Sequence, residues 1–176
     1  KIFPDIEFKI FVVDHKSKNE DLKQMEKQLS NSGFKNTIIS LNTDEFVNNR
    51  LFLKFNSKNE KVTDNQMSNM SNIHQSLLIA KNKCDDLIYF VEDDYLHDLN
   101  AFGEMIFTYE RLATQLNREL IICPADYPYL YTKADKTNIF LGSNRHWRKV
   151  EETLCTFLTS KIIIEKYWNK YVSMCQ

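Results

Sequence analysis

The sequence predicts an α/β fold, a three-layer sandwich around a mostly parallel sheet, and three observations carry that expectation. Apolar β-favouring runs alternate with amphipathic helical segments along the chain. The first strand, helix and strand follow one another at the spacing of a βαβ unit. Leu87-Ile88-Tyr89-Phe90-Val91 is a continuous apolar run of the kind found in the middle of a parallel sheet.

Each element has its own justification. Phe8–Val13 is a short apolar run ending at Asp14-His15, suited to a buried strand. Ser17 and Glu20 have capping-box spacing; Leu22, Met25 and Leu29 then form one helical stripe, and Gly33 ends it. Thr37–Leu41 is the second strand, ending at Asn42-Thr43-Asp44. Residues 45–65 are rich in Asn and Lys without a sustained period, which predicts a surface excursion or small extra element. Thr63 and Gln66 give a second capping box before a helix with Met67, Met70, Ile73, Leu77 and Leu78 on one face, running to about Lys83. After the strand 87–91, residues Leu99, Phe102, Met105, Ile106, Tyr109, Leu112, Ala113 and Leu116 repeat at three and four, the clearest helix in the chain. Leu120–Cys123 is a strand stopped by Pro124. Then come Asn138–Leu141, a turn at Gly142-Ser143-Asn144, a strand-like stretch from Leu154 to Leu158, and a last helix from Ser160 through Tyr171.

Composition narrows the function. A chain of 176 residues is expected to be a single domain, and 43% hydrophobic content is enough for a core. The 23 Lys and Arg against 24 Asp and Glu leave no basic footprint for nucleic acid. Three glycines, Gly33, Gly103 and Gly142, exclude both a dinucleotide fingerprint and a P-loop. Cys84, Cys123, Cys155 and Cys175 form neither a CxxC pair nor a zinc-finger spacing and read as reduced, buried thiols. No stretch approaches the ~18–20 apolar residues of a membrane span, so a cytoplasmic protein, in solution or at a membrane surface, is expected.

The chemistry concentrates at one strand end. From Asp85 to Asp98 there are six carboxylates and no Lys or Arg, and Glu92-Asp93-Asp94 directly follow the apolar run. Like charges 4 Å apart cost about 1 kcal/mol in water and about 4 at an effective dielectric near 20. Three consecutive acids at a strand's carboxyl end, where open α/β sheets bind ligands, therefore point to Mg²⁺ or Mn²⁺ shared with substrate phosphates. The plainer alternative is a solvated acidic loop.

The stretch from Asn72 to Leu96, a helix, a short turn, an apolar strand and Glu-Asp-Asp, resembles the DxD region of glycosyltransferases with the GT-A fold. The likeness is greatest to the family-2-like group and spans roughly residues 8–125. It implies that Glu92 and Asp94 are the working pair, with Glu standing where Asp is commoner. The first acid would meet the nucleotide ribose or the metal, and the third would ligate the metal bridging the diphosphate. Asp93 between them joins the nucleotide-binding set. The ends of the first two strands, Asp14-His15 and Asn42-Thr43-Asp44, would hold the nucleobase. Residues 8–98 would then form the nucleotide-sugar part and 99–176 the acceptor part, in a compact enzyme or a piece of a longer protein. The resemblance further implies a UDP-sugar donor, an inverting transfer and a glycan or other hydroxyl acceptor.

An inverting transfer needs a carboxylate general base. Asp126, in Cys-Pro-Ala-Asp-Tyr-Pro-Tyr after the strand Leu120–Cys123, is the first choice, with Glu151 and Glu152 as alternatives. Tyr127, Tyr129 and Tyr131 offer stacking surfaces for a sugar. The competing reading of Asp126 is an Asp capping its own turn. In the cluster Arg145-His146-Trp147-Arg148-Lys149, His146 could complete the metal shell, Arg145, Arg148 or Lys149 could pair with phosphate, and Trp147 could wall the sugar pocket. A basic hairpin tip with a half-buried Trp is the alternative. His74 and His97 read as surface or packing residues, and Tyr167, Trp168 and Tyr171 as the core face of the last helix. A sugar nucleotidyltransferase would need glycines after the first strand, where Asp14-His15-Lys16-Ser17-Lys18 stands. A dehalogenase-type phosphatase would need a second Asp there. The rival of another class is a non-catalytic binding module on a GT-A scaffold.

Overall fold

A computed structural model describes residues 5–48, 55, 58–132 and 136–175. The chain is a mixed α/β protein with small sheets, and it divides into two compact units, Lys1–Lys83 with Tyr167–Gln176, and Cys84–Lys166.

The first unit opens with the expected βαβ arrangement. Strand β1 (Lys9–Asp14), helix α1 (Asn19–Ser32) and strand β2 (Lys35–Ser40) follow in order, and the strands pair in parallel from Lys9 opposite Lys35 to Asp14 opposite Ser40. Leu22, Met25 and Leu29 are the half-buried positions of α1, as their spacing requires. The expected Ser17–Glu20 capping box does not form: Lys18 occupies the N-cap without a side-chain hydrogen bond. At the other end Gly33 adopts φ 72°, the left-handed conformation that favours glycine. Helix α2 (Thr43–Asn48) follows β2 at once, and Phe55 forms an isolated bridge with Lys61; the rest of the expected excursion, 49–54 and 56–57, lies outside the described residues.

Helix α3 (Asp64–Lys83) starts at a true capping box. Gln66 N donates to Thr63 Oγ1 at 3.2 Å, and Thr63 N donates to Gln66 Oε1 at 2.9 Å. Its buried face is Ser71, His74, Leu77, Ile79 and Ala80, with His74 packed against the Phe46 ring. Helix α6 (Trp168–Ser173) packs on α3, burying Tyr171 while Tyr167 stays exposed.

In the second unit, β3 (Leu87–Phe90), helix α4 (Ala101–Leu116), β4 (Ile121–Ile122) and β7 (Phe157–Ser160) form one layer pair. The sheet order is β3-β7-β4, with β7 antiparallel to both neighbours. A mostly parallel sheet was expected; here one antiparallel strand separates two that run the same way. Met105, Tyr109, Ile122 and Leu158 make the core, with Phe102, Leu120 and Trp147 packed around it. Each such burial contributes about 1.5–3 kcal/mol. The apolar stripe of α4 begins at Phe102, because Asp98 accepts from Asn100 N and Ala101 N and starts the helix there, leaving Leu99 exposed. Strands β5 (Ile139–Leu141) and β6 (His146–Arg148) form a separate antiparallel hairpin. The expected 154–158 strand sits instead at β7, and the last helix is broken at Tyr167 into α5 (Lys161–Lys166) and α6.

Candidate functional site

The register of the three-stranded sheet assembles the site. Phe90 lies opposite Phe157 and Ile122 opposite Leu158, so β3 and β4 leave the sheet at the edge where β7 enters. Val91–Asp94, Cys123–Asp126 and Thr156 therefore meet at one edge, the carboxyl end of two parallel strands.

Three contacts hold the acidic loop. Glu92 N donates to Thr156 Oγ1 at 3.1 Å. The Tyr95 and Tyr127 hydroxyls are 2.6 Å apart, tying the loop after β3 to the loop after β4. The Tyr89 hydroxyl meets His97 Nε2 at 2.6 Å, with the rings edge to face. Burial, then the neighbouring Cys123 and Tyr95, pushes the Tyr89 phenol up to about 12. Burial and the bond to Tyr95 likewise push Tyr127 up. Both phenols are therefore neutral hydrogen-bonding posts at neutral pH. Glu92, Asp93 and Asp94 are exposed, and among the described residues no Lys or Arg pairs with them. The Cys155 thiol is pushed up by burial and by the charge of Glu92.

Asp126 is already engaged. Arg148 Nη2 and Nε donate to its Oδ1 at 2.7 and 3.1 Å, and the Tyr131 hydroxyl donates to Oδ2. The guanidinium also lies 4.3 Å from the Tyr131 ring centroid. The Arg148 hydrogen bonds hold the Asp126 carboxyl below its ordinary range, against a smaller opposing effect of burial. Arg148, expected at a phosphate, is thus committed to the candidate base.

The hairpin carrying Arg148 is fastened by a residue that sequence reasoning missed. Glu104, in the first turn of α4, is only 6% exposed. Its carboxylate accepts from Ser143 N at 2.9 Å, Asn144 N at 2.8 Å and Trp147 Nε1 at 3.1 Å. Desolvation raises its pKa, but the bond from Trp147 and those from the turn's backbone N–H groups outweigh it, so Glu104 sits below its ordinary value. Gly142 is required in that turn, since a Cβ there would overlap Glu104 Oε1 and come within 2.8 Å of the Arg145 carbonyl. Trp147 is consequently half-buried, packed against the core with its Nε1 committed to Glu104. His146 and Arg145 are exposed, as are Glu151 and Glu152 on the segment after β6.

The other expected nucleotide contacts lie in the first unit. Leu41 N donates to the Asp14 carbonyl at 2.7 Å, joining the ends of β1 and β2. Gln75 of α3 brackets the end of β2, donating to the Ser40 carbonyl and accepting from Asn42 N. Asp14 and His15 are half-buried, while Asn42 and Asp44 are exposed.

Glu92 and Asp94 are exposed carboxylates without a Lys or Arg partner among the described residues, and two such oxygen donors fit Mg²⁺ or Mn²⁺ held by one or two carboxylates with substrate phosphates. Among the described residues no three His, Cys, Asp or Glu side chains stand together as a metal-holding group, so His146 is not gathered with the two acids. A groove of about 450 Å³ along α4, lined by Phe107, Glu110, Arg111, Thr114 and Gln115, shares no residue with the site. Among the described residues no helix is long and apolar enough to cross a membrane. No family model, curated protein or solved structure matches the chain.

Proposed function

We propose that the chain is a metal-dependent glycosyltransferase that moves a sugar from a UDP-sugar donor to an acceptor hydroxyl with inversion. The scaffold under this reading is a GT-A-like three-layer sandwich, in a cytoplasmic protein. The observation that carries it is the shared sheet edge. Three exposed carboxylates with no Lys or Arg partner among the described residues leave β3 there, and Tyr95 and Tyr127 tie their loop to the loop that holds Asp126.

Glu92 and Asp94 would hold Mn²⁺ or Mg²⁺, which supplies Lewis-acid neutralisation of the leaving diphosphate, worth several kcal/mol. Asp93 would contact the nucleoside. Asp126 would take the acceptor's proton. An ionised carboxylate can do so, but hydrogen bonds that favour its charged form weaken it as a base. An acceptor hydroxyl must therefore displace Tyr131 from Oδ2, and a diphosphate that draws on Arg148 would strengthen the base further. Engagement of both Asp126 oxygens also favours a second reading, a non-catalytic nucleotide-sugar or glycan-binding module.

Release of UDP from a panel of UDP-sugars in the presence of Mn²⁺ separates the two readings. The transferase releases UDP, and Asp94→Ala abolishes the signal. Asp126→Asn should spare nucleotide binding and remove turnover. Intact turnover in that variant would move the base to Glu151 or Glu152.

A further inference from the structure

We propose that Thr156 is a positioning residue for Glu92, fixing the first acid of the loop so that its carboxylate meets a divalent cation together with Asp94. This role rests on the metal-dependent reading above. Glu92 lies two residues beyond Phe90, the last position of β3 that pairs with β7. The ladder no longer holds it there, and the Thr156 side chain takes over, accepting the Glu92 N–H at 3.1 Å.

Thr156 is fully buried, so its hydroxyl proton also needs an acceptor within the protein. That acceptor is Glu92 Oε2, at 3.5 Å. Backbone and carboxylate of one acidic residue are thus both bound by one hydroxyl. The post is itself rigid: Thr is β-branched with a restricted χ1, and the Thr156 carbonyl accepts from Cys123 Sγ at 3.2 Å at the end of β4. Glu has one more torsion than Asp, so its carboxylate needs more orientation before it can serve as a ligand. Thr156 supplies that orientation from outside the ligand set, as partners of metal ligands do.

The test is the Mn²⁺ affinity of the full chain with saturating UDP, read from the electron paramagnetic resonance of free Mn²⁺. Thr156→Val keeps the shape and removes the hydroxyl, and Thr156→Ser keeps the hydroxyl. Thr159→Val removes another buried hydroxyl of the same strand, one that donates to the Leu120 carbonyl at 3.1 Å. Thr156→Val should weaken Mn²⁺ binding about 10-fold or more, with Thr156→Ser and Thr159→Val staying within about 2-fold of wild type. If Thr156→Val does not fold, Thr156→Ala carries the same expectation. Equal affinity of Thr156→Val and wild type, or an equal loss in Thr159→Val, overturns the role of Thr156 alone. A wild-type chain that binds no Mn²⁺ with UDP overturns the proposed function and this role together.

Discussion

Replacing Glu104 with glutamine tests whether one buried carboxylate holds the β5–β6 hairpin to the rest of its unit. Glutamine has the same shape, but an NH₂ group takes the place of one carboxylate oxygen. The amide oxygen can still accept from Ser143 N and Trp147 Nε1, while the Asn144 N–H now faces a donor. A hydrogen bond to a charged group contributes about 1.5–3 kcal/mol and a neutral one about 0.5–1.5. One charged bond is lost, and two fall from the charged to the neutral range. Asn144 is exposed, so water replaces part of the loss. The expected cost is about 2–3 kcal/mol in the stability of the second unit. Urea denaturation followed by Trp147 fluorescence reads it, in a Trp168→Phe background because the chain has two tryptophans. A cost below about 0.5 kcal/mol with unchanged Trp147 emission would refute the clamp, since ordinary surface substitutions fall in that range.

Gly142→Ala should cost about 1–3 kcal/mol by the same assay, because the new methyl overlaps Glu104 Oε1 and crowds the Arg145 carbonyl. Gly33→Ala should cost about 1 kcal/mol through backbone strain alone, since φ is 72° and nothing lies within 4 Å of the added Cβ. Stability should also fall in acid. Glu104, Asp126 and Glu119, the last held by hydrogen bonds from the Ser160 and Tyr109 hydroxyls, all have folded pKa values below their ordinary ones of 4.5, 3.8 and 4.5. The unfolded chain binds more protons over that interval, so their contribution is complete above those ordinary values and is lost as pH falls through the lowered folded ones. A denaturation series from pH 7 to pH 3 checks this, and Glu104→Gln should flatten part of the slope.

Local chemistry was the legible part of this chain. The α1 stripe and the β1–β2 pair follow from the hydrophobic pattern; capping-box spacing held at Thr63–Gln66 but not at Ser17–Glu20, where Lys18 takes the N-cap. Leu99 misled because it continues the α4 period, yet Asp98 begins the helix after it. The antiparallel β7 was hidden for a different reason: Phe157–Ser160 is buried throughout, and nothing local gives a strand its direction. At the candidate site, the Glu92–Asp94 triplet stood out by its charge density. The bonds that tie it down come from Thr156 and Tyr127, more than thirty positions away in sequence. Glu104 was hidden because an acid in a helix's first turn is commonplace, and its partners lie about forty residues later. Asp126 was legible as a strand-end acid, but its pairing with Arg148 depends on where the hairpin folds back.

Calorimetric titration of UDP into the wild-type chain, with and without Mn²⁺, is the most direct measurement of the proposed chemistry. Binding that appears only with Mn²⁺ and disappears in Asp94→Ala is the expected result. No binding, or binding that ignores both the metal and the Asp94 substitution, would contradict the proposal that the acids after β3 hold a nucleotide's diphosphate through a cation.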